Sequence, residues 1–475
     1  MKRLLPLLPL FLVLQLYSKA ELPNILFILS DDQAWETLGL HGGEVKTPNL
    51  DRLAAQGTLF THAYNMGGWH GAVCVASRTM LNTGRSIWRA QAAEERIHQG
   101  EEETFWAEHL SEAGYTTYMS GKWHVRKPAA DAFDHVAHVR PGMPKTVPSA
   151  YFRPDPTGQN SWAPDDKSLG GFWEGGKHWS EVVGDDGVAF LKQAAGKEEP
   201  FFMYLAFNAP HDPRQSPKAF VDMYPVENVK VPENFLPDYP YKVEIGCYST
   251  ISKGQPSYLR DEKLAPWPRT EEAIQLHRQE YYAIITHMDK QVGRILKELE
   301  ASGQKEETII IFTSDHGLAV GRHGLMGKQN MYEHSLRVPL IIAGRDIPAG
   351  KQINIPVYLQ DVMPTSLQLA GQEIPHSVEF KSLLPLLAGE ETIHYPALYG
   401  AMWPNKQRAI IKDGWKLMHY PKGDIYRLYN LQKDPLEMDD LANDPNQAER
   451  VVALKAGLRE LQLGMEDPLV VQKTP

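Results

Sequence analysis

Cys74 lies in the stretch Asn65 to Arg85, NMGGWHGAVCVASRTMLNTGR, where a loop of small residues runs into a helix start. A thiol becomes reactive in an electropositive, partly exposed setting, and a helix N-terminus supplies part of that field. Taken alone, a cysteine is more often a buried structural thiol. What sets this one apart is the order Cys74-Val75-Ala76-Ser77-Arg78, followed by Leu81 and Thr83-Gly84-Arg85. Asp31 and Asp32 are adjacent carboxylates directly after an apolar run, a donor pair suited to a hard divalent cation. Asp315 and His316 repeat that placement after another run and could complete a site begun by the first pair. Lys122 and His124, two apart, could bring a fixed cation and a titratable base into one pocket.

Such groups need a scaffold that delivers strand ends to one place. Residues 24–30, NILFILS, form a continuous apolar run, as expected of a strand buried on both faces of a mostly parallel sheet. Further runs at 201–207, 308–313 and 338–343, with a shorter one at 116–119, predict companion strands. Open α/β sheets bind ligands at the carboxyl ends of their strands, where Asp31 and Asp315 fall. Thr47 and Pro48 predict a helix start and Gly57 its stop; a second helix begins at Thr104 and ends at Gly114. The longest helix is predicted over 271–299, with an apolar stripe from Ile274 to Leu299 that reads as core packing. Residues 131–200 and 224–268 lack clear periodicity, and long loops in a compact enzyme usually shape a binding site. Near His394 the pattern changes to short strands at 396–402, 407–412, 415–420 and 427–430, then a helix over 446–463. The expected fold is α/β, a large mixed, mostly parallel sheet sandwiched by helices, with a small C-terminal α+β subdomain built on an antiparallel sheet. Its expected divisions are a leader over 1–20, a catalytic domain over 21–390 and the subdomain over 391–475.

Composition narrows the function classes. A hydrophobic content of 42% and a charged content of 23% are those of a globular chain, and the length allows a large core. Lys2-Arg3, an apolar run to Leu16 and Ser18-Lys19-Ala20 read as a secretory signal peptide. That run is too short for a membrane span, and no cysteine at the cleavage point offers a lipid anchor. The formal charge is −10, and loss of Lys2, Arg3 and Lys19 takes it to −13. Nucleic acid, which needs a basic footprint, is excluded as a partner. An anionic substrate would require positive charge concentrated in one pocket. The two cysteines, Cys74 and Cys247, allow at most one disulfide, and there is no Asn-x-Ser/Thr site for N-glycans. A periplasmic or secreted enzyme is compatible with both facts.

The segment from Cys74 to Arg85 resembles the signature of type I sulfatases, within the alkaline-phosphatase-like superfamily, although Ala76 stands where many members have proline. Residues 114–124, GYTTYMSGKWH, resemble the second signature of that family. Asp31-Asp32 and Asp315-His316 are similar to its metal motifs, with His316 where members often have asparagine. His211, in Ala209-Pro210-His211-Asp212-Pro213, and Lys328 look like its sulfate-contacting histidine and lysine. The likeness runs from about Pro23 to Leu463.

The resemblance implies hydrolysis of sulfate monoesters by formylglycine, made from Cys74 by a formylglycine-generating or sulfatase-maturing enzyme, whose hydrated aldehyde is the nucleophile. It implies one Ca²⁺ or Mg²⁺ held by Asp31, Asp32, Asp315, His316 and the modified Cys74. Arg78 and Lys122 would stabilise the nucleophile, Lys328 the sulfate oxygens, His211 or Lys328 would protonate the leaving alkoxide, and His124 would act as base on the second hydroxyl. Beyond that core, Trp69, His70, Arg214, Arg322 and His323 offer polar groups beside an aromatic face, a mix that suits a sulfated saccharide. Choline sulfate would call for an aromatic cage, and these stretches supply one Trp. Phosphonate or phosphate ester hydrolysis, aryl or choline sulfatase activity and non-catalytic glycan binding remain as alternatives. His323 is the expected specificity residue, since it falls between Asp315-His316 and Lys328.

Overall fold

The apolar runs read as doubly buried strands do assemble into one sheet in the structure, a computed structural model that describes residues 22–155, 157, 158, 161–249 and 257–471. The leader expected over 1–20 lies outside the described residues. Along the chain come β1 (Asn24–Ser30), β2 (Gly57–Tyr64), β3 (Gly67–Gly68), β4 (Thr116–Lys122), β5 (His135–Arg140) and β6 (Phe201–Ala206). A short ladder pairs β7 (Tyr248–Ser249) with β8 (Ser257–Tyr258). Then follow β9 (Thr308–Ser314), β10 (Arg337–Gly344), β11 (Lys351–Ile353) and β12 (Val357–Tyr358). The last four are β13 (Leu398–Met402), β14 (Gln407–Lys412), β15 (Trp415–Tyr420) and β16 (Ile425–Asn430).

Among the described residues the main sheet has nine strands in the order β11-β2-β10-β9-β1-β6-β4-β5, with β12 also on β2. β10 runs antiparallel to β2 and β9, and the other pairs are parallel. Alternation along β1 sends Ile25, Phe27 and Leu29 into the core on one face and Leu26 and Ile28 into the core on the other. Trp106 and Leu110 of helix Trp106–Glu112, with Val362, Met363 and Leu367 of helix Val362–Leu369, cover the first face. Helix Glu271–Ala301 covers the second through Ile284, Met288, Val292, Ile295 and Leu299. Full burial of each such aliphatic side chain stabilises by roughly 1.5–3 kcal/mol. The architecture is the expected α/β sandwich.

Elements that escaped the sequence reading include β2 and helix Trp179–Ala194. Gly57 ends helix Pro48–Ala55 as expected, yet it also opens β2, whose Thr58, Thr61 and His62 interrupt the apolar run. Helix Trp179–Ala194 lies inside 131–200, where no periodicity was evident. Its apolar stripe is broken by Gly184 and Gly187, which stand where the helix meets its neighbours. A Cβ on Gly187 would lie 2.8 Å from Leu205 and 3.0 Å from Ile295, so close approach and not flexibility explains that glycine.

The C-terminal strands form a second sheet, β16-β15-β14-β13-β3, antiparallel except that β3 joins β13 in parallel. Gly67 of β3 has φ +98°, and a Cβ there would lie 2.0 Å from Ala401 O. Val451, Leu454 and Leu458 of helix Ala448–Gly464 cover this sheet from outside. Its other side shares one apolar cluster with Tyr64, Met66, Val73, Met80 and Trp88. Residues after 390 therefore pack as part of the same body that carries Cys74.

Candidate active site

The register of the central strands determines what meets at their carboxyl ends. β1 and β9 pair with Ser30 opposite Ser314, so Asp31-Asp32 and Asp315-His316 leave the sheet side by side. β6 flanks β1 and β4 flanks β6, bringing His211 from the loop after β6 and Lys122 from the last position of β4. Helix Val73–Thr83 points its first turn at this edge, and Ser77 Oγ ties it there by donating to Asp315 O at 2.7 Å. Cys74 and Arg78, four residues apart, share one helix face. Asp32 (φ +73°) and His124 (φ +58°) are left-handed, a strained geometry that a packed surround must hold in place. Gly142 leaves room for the His124 ring, since a Cβ there would lie 2.3 Å from it.

Each buried carboxylate faces its own cation. Lys122 Nζ bonds Asp31, Arg78 Nε donates to Asp315 Oδ2 at 3.0 Å, and Lys328 Nζ donates to Asp32 Oδ1 at 2.8 Å. Arg78 Nη1 also donates to Lys122 O, which links the cations. Cys74 Sγ sits among them, 3.3 Å from Lys328 Nζ and 3.5 Å from His316 Nε2. Burial presses its thiol upward, but the Lys122 and Lys328 ammonium groups, with hydrogen bonds from His124 and His211, together hold it well below the ordinary thiol range. Burial also raises Asp31 well above the usual carboxylate range, with Asp315 adding like-charge repulsion. For Asp315, burial is outweighed by His316 and Arg78, which bring it down to about 2. His124 is lowered by burial and by Lys122.

The donor set fits a divalent cation. Ligand atoms of Asp31, Cys74, Asp315 and His316 lie within 4.8 Å of one another, as do those of Asp32, Cys74 and His211. Among the described residues the buried Asp31 Oδ1 has no hydrogen-bond partner, an orphaned carboxyl oxygen of the kind a cation satisfies. Three carboxylates in one cluster favour a hard ion. The pocket above Cys74, about 440 Å³, is lined by His124, His211 and Lys328, and also by Gly142, Met143, Leu259, Arg260, Asp261 and Gln329. The last six were not singled out from sequence. Arg260-Asp261 falls in the aperiodic stretch 224–268, which was the available signal, and Gln329 adjoins Lys328. Arg260 forks onto Asp212 and reaches Asp261, so the guanidinium is fixed at the mouth beside His211.

The five residues expected to read the substrate are not among those lining this pocket. His323 is a correction: it is buried, stacks on Tyr332 at 4.0 Å between ring centroids, donates from Nε2 to Leu436 O at 3.1 Å and donates its backbone N–H to Asn234 O at 2.7 Å. Burial lowers it to about 3, so it stays neutral. The loop carrying it turns away from the pocket to pack against the C-terminal part of the chain. Arg322 pairs with Glu36 at 2.6 Å, and buried Arg214 meets His277 at 3.3 Å and lies over Tyr281. Trp69 donates from Nε1 to Glu94 at 3.0 Å, and half-buried His70 lies beside it, next to pocket-lining Gly71. A larger cleft of about 1060 Å³, lined by Trp35, His62, Arg337 and Tyr395, contains none of the charged cluster.

A mixed sheet covered on both faces, with a charged cluster at its strand ends and a second antiparallel sheet behind, is the alkaline-phosphatase-like architecture. Residues 23–372 match the family model described as Sulfatase, and residues 321–464 match N-sulphoglucosamine sulphohydrolase, C-terminal. The chain belongs to the sulfatase family and is a sulfuric ester hydrolase. It is 29% identical to an arylsulfatase of Clostridium perfringens, over 93% of this chain and 94% of the relative. It is 27% identical to an N-acetylglucosamine-6-O-sulfatase of Bacteroides thetaiotaomicron, over 94% of this chain and 87% of the relative. Among solved structures, a protein in complex with its substrate D-glucosamine-2-N,6-O-disulfate superimposes with a TM-score of 0.72 at 24% identity, covering 94% of this chain and 98% of the other. A phosphonate monoester hydrolase from Silicibacter pomeroyi gives 0.74 at 21% identity, covering 94% and 96%.

Proposed function

We propose that this enzyme removes O-sulfate groups from a sulfated carbohydrate, using formylglycine made from Cys74 and acting in the periplasm or outside the cell. The observation that carries the reading is the convergence of Cys74, His124, His211 and Lys328 on one pocket, beside carboxylates that the buried Lys122 and Arg78 pair with. The saccharide is supported by the N-acetylglucosamine-6-O-sulfatase relative and by Arg260, a half-buried guanidinium at the pocket mouth suited to meet hydroxyls. Export is supported by the leader-like residues 1–20; among the described residues no helix is long and apolar enough to cross a membrane. A maturation enzyme is the implied partner during biogenesis. Residues 21–390 would act as the catalytic domain and 391–475 as its subdomain.

In this reading Asp31, Asp32, Asp315, His316 and residue 74 hold one Ca²⁺ or Mg²⁺. Bound there, the ion supplies Lewis-acid neutralisation of charge, and formylglycine supplies a hydroxyl nucleophile at neutral pH. The chain's own residues do the remainder. Lys328 Nζ, already 3.3 Å from the residue-74 side chain, donates to a sulfate oxygen and orients the ester. Lys122 and Arg78 keep residue 74 in a positive, water-poor surround, where fixed charge lowers the barrier most. His211 Nε2 gives its proton to the departing sugar oxygen, while Nδ1 stays anchored at 2.8 Å on Asp212 O. His124, kept neutral by burial and by Lys122, accepts the proton that must leave residue 74 before sulfate departs.

The test is turnover by matured enzyme across sulfated mono- and oligosaccharides, an aryl sulfate, choline sulfate and a phosphonate monoester. The expected result is the highest kcat/KM on a sugar sulfate. Preference for the phosphonate, or for choline sulfate with no sugar sulfate turned over, would overturn the reading.

A further inference from the structure

Lys328 lies on a loop whose backbone is held from behind. Glu262, buried, accepts from the backbone N–H of Met326 and Gly327 on one side of Lys328. On the other side the holding groups come from the C-terminal sheet. Gln407, first residue of β14 and fully buried, donates from Nε2 to Gln329 O at 2.9 Å and to Ile245 O at 2.9 Å. Lys416 of β15, also fully buried, donates from Nζ to Met331 O at 3.0 Å. The pairing of Ile411 with Lys416 puts Gln407 and Lys416 on the same face of the sheet, two strand steps per repeat. Gly400 of β13 shares that face, and a Cβ there would lie 3.3 Å from Met331 Sδ, so the sheet surface is hollowed to receive this loop.

Gln329 carries the grip forward into the site. Its side chain donates from Nε2 to Gly71 O at 2.9 Å, three residues before Cys74, and to Asp261 Oδ2 at 2.8 Å, and its Oε1 accepts from the Lys328 N–H at 3.2 Å. One residue thus ties the Lys328 backbone, the Cys74 loop and the pocket-lining Asp261 together, and its own carbonyl is fixed by Gln407.

We propose that Gln407 is a positioning residue for catalysis: through Gln329 the C-terminal sheet sets where Lys328 Nζ stands relative to residue 74. The proposal rests on the reading of Lys328 as the sulfate-orienting cation. Displacement of about 1 Å in such a group costs on the order of 10²-fold in rate when reacting atoms must be aligned. The subdomain is then part of the catalytic apparatus and not only a lid on the core.

The experiment is a double-mutant cycle of Gln407→Met, similar in length and without donors, with Lys328→Ala, in full-length matured enzyme. The readouts are kcat, KM, inhibition by inorganic sulfate and thermal unfolding. Gln407→Met alone should lower kcat on the order of 10-fold or more and weaken sulfate inhibition. In the Lys328→Ala background it should change kcat by less than about 2-fold, because the group it positions is gone. Equal losses in both backgrounds would make Gln407 a fold residue and sink the proposal, as would an unchanged kcat for Gln407→Met. Full activity of Lys328→Ala would instead overturn the role of Lys328 itself, a separate failure seen without any change at 407. Should Gln407→Met not fold, Gln407→Asn, which keeps the amide and withdraws it by one methylene, runs the same cycle.

Discussion

Replacing Lys122 by methionine separates what its charge does for the fold from what it does for the reaction. Lys122 is fully buried and its ammonium sits on Asp31, whose carboxyl is already raised by burial and by Asp315. Lys122→Met leaves that carboxylate without its cation. Breaking a buried pair on one side costs about 3–5 kcal/mol, a Tm fall of about 3–5 °C for a chain of this size. In metal-free protein the variant's Asp31 is driven further upward and takes up a proton on folding. A folded-state pKa raised above the unfolded value gives stability that is complete below the ordinary carboxylate range and is lost as pH rises through the raised value. The deficit relative to wild type should therefore be small at acid pH and grow toward neutral pH. A saturating divalent cation should restore part of the Tm, because the ion takes over the counter-charge. It should not restore turnover: loss of one fixed donor from a water-poor site costs about 10²–10³-fold in kcat. Thermal scans across pH with chelator or Ca²⁺, beside kcat on one sulfate ester, measure all of this. Recovery of kcat in step with Tm would refute a direct role for Lys122 and leave it as a fold residue.

Further outcomes are expected at other positions. Peptide mass spectrometry of active enzyme should find an aldehyde or its hydrate at position 74; full activity with an unmodified thiol throughout contradicts the mechanism. Asp315→Ala removes the partner of Arg78 Nε, 3.0 Å away, together with a cluster carboxylate, and should abolish turnover. Exhaustive chelation should do the same to wild type, and retained activity would count against the cation. His323→Ala should lower stability by about 1–3 kcal/mol through lost hydrogen bonds in a buried site. It should lower kcat/KM equally on a sugar sulfate and an aryl sulfate; a selective loss on the sugar would return His323 to the specificity determinants.

How much was legible follows from how local each signal is. β1, β6, β9 and β10 were visible because a strand buried on both faces needs an unbroken apolar run, a property of six to eight consecutive residues. The antiparallel strands after His394 showed for a similar reason, and Ile410 and Leu417 now lie buried in that sheet. Helix Trp179–Ala194 did not show, because Gly184 and Gly187 serve a contact with other elements and interrupt the stripe that a single sequence displays. Arg322 and His323 misled for the opposite reason. Lying between Asp315 and Lys328 in sequence says nothing about which way a loop turns, and this one pairs with Glu36 and Tyr332.

The sequence by itself determined the chemistry available here: a cysteine in a small-residue loop before a helix, carboxylates after apolar runs, and a lysine and histidine two apart. Residue type and short spacing suffice for that, since strand alternation and helix starts are local. Only the tertiary structure decided that Ser30 stands opposite Ser314, so that two distant carboxylate motifs become one cluster, and that each carboxylate meets a particular cation. It alone brought Arg260 and Asp261 to the pocket mouth and put Gln407, 79 positions beyond Lys328, behind the loop that lysine stands on. Register and long-range hydrogen bonds are set by the packing of the whole chain, and no window of neighbouring residues contains them.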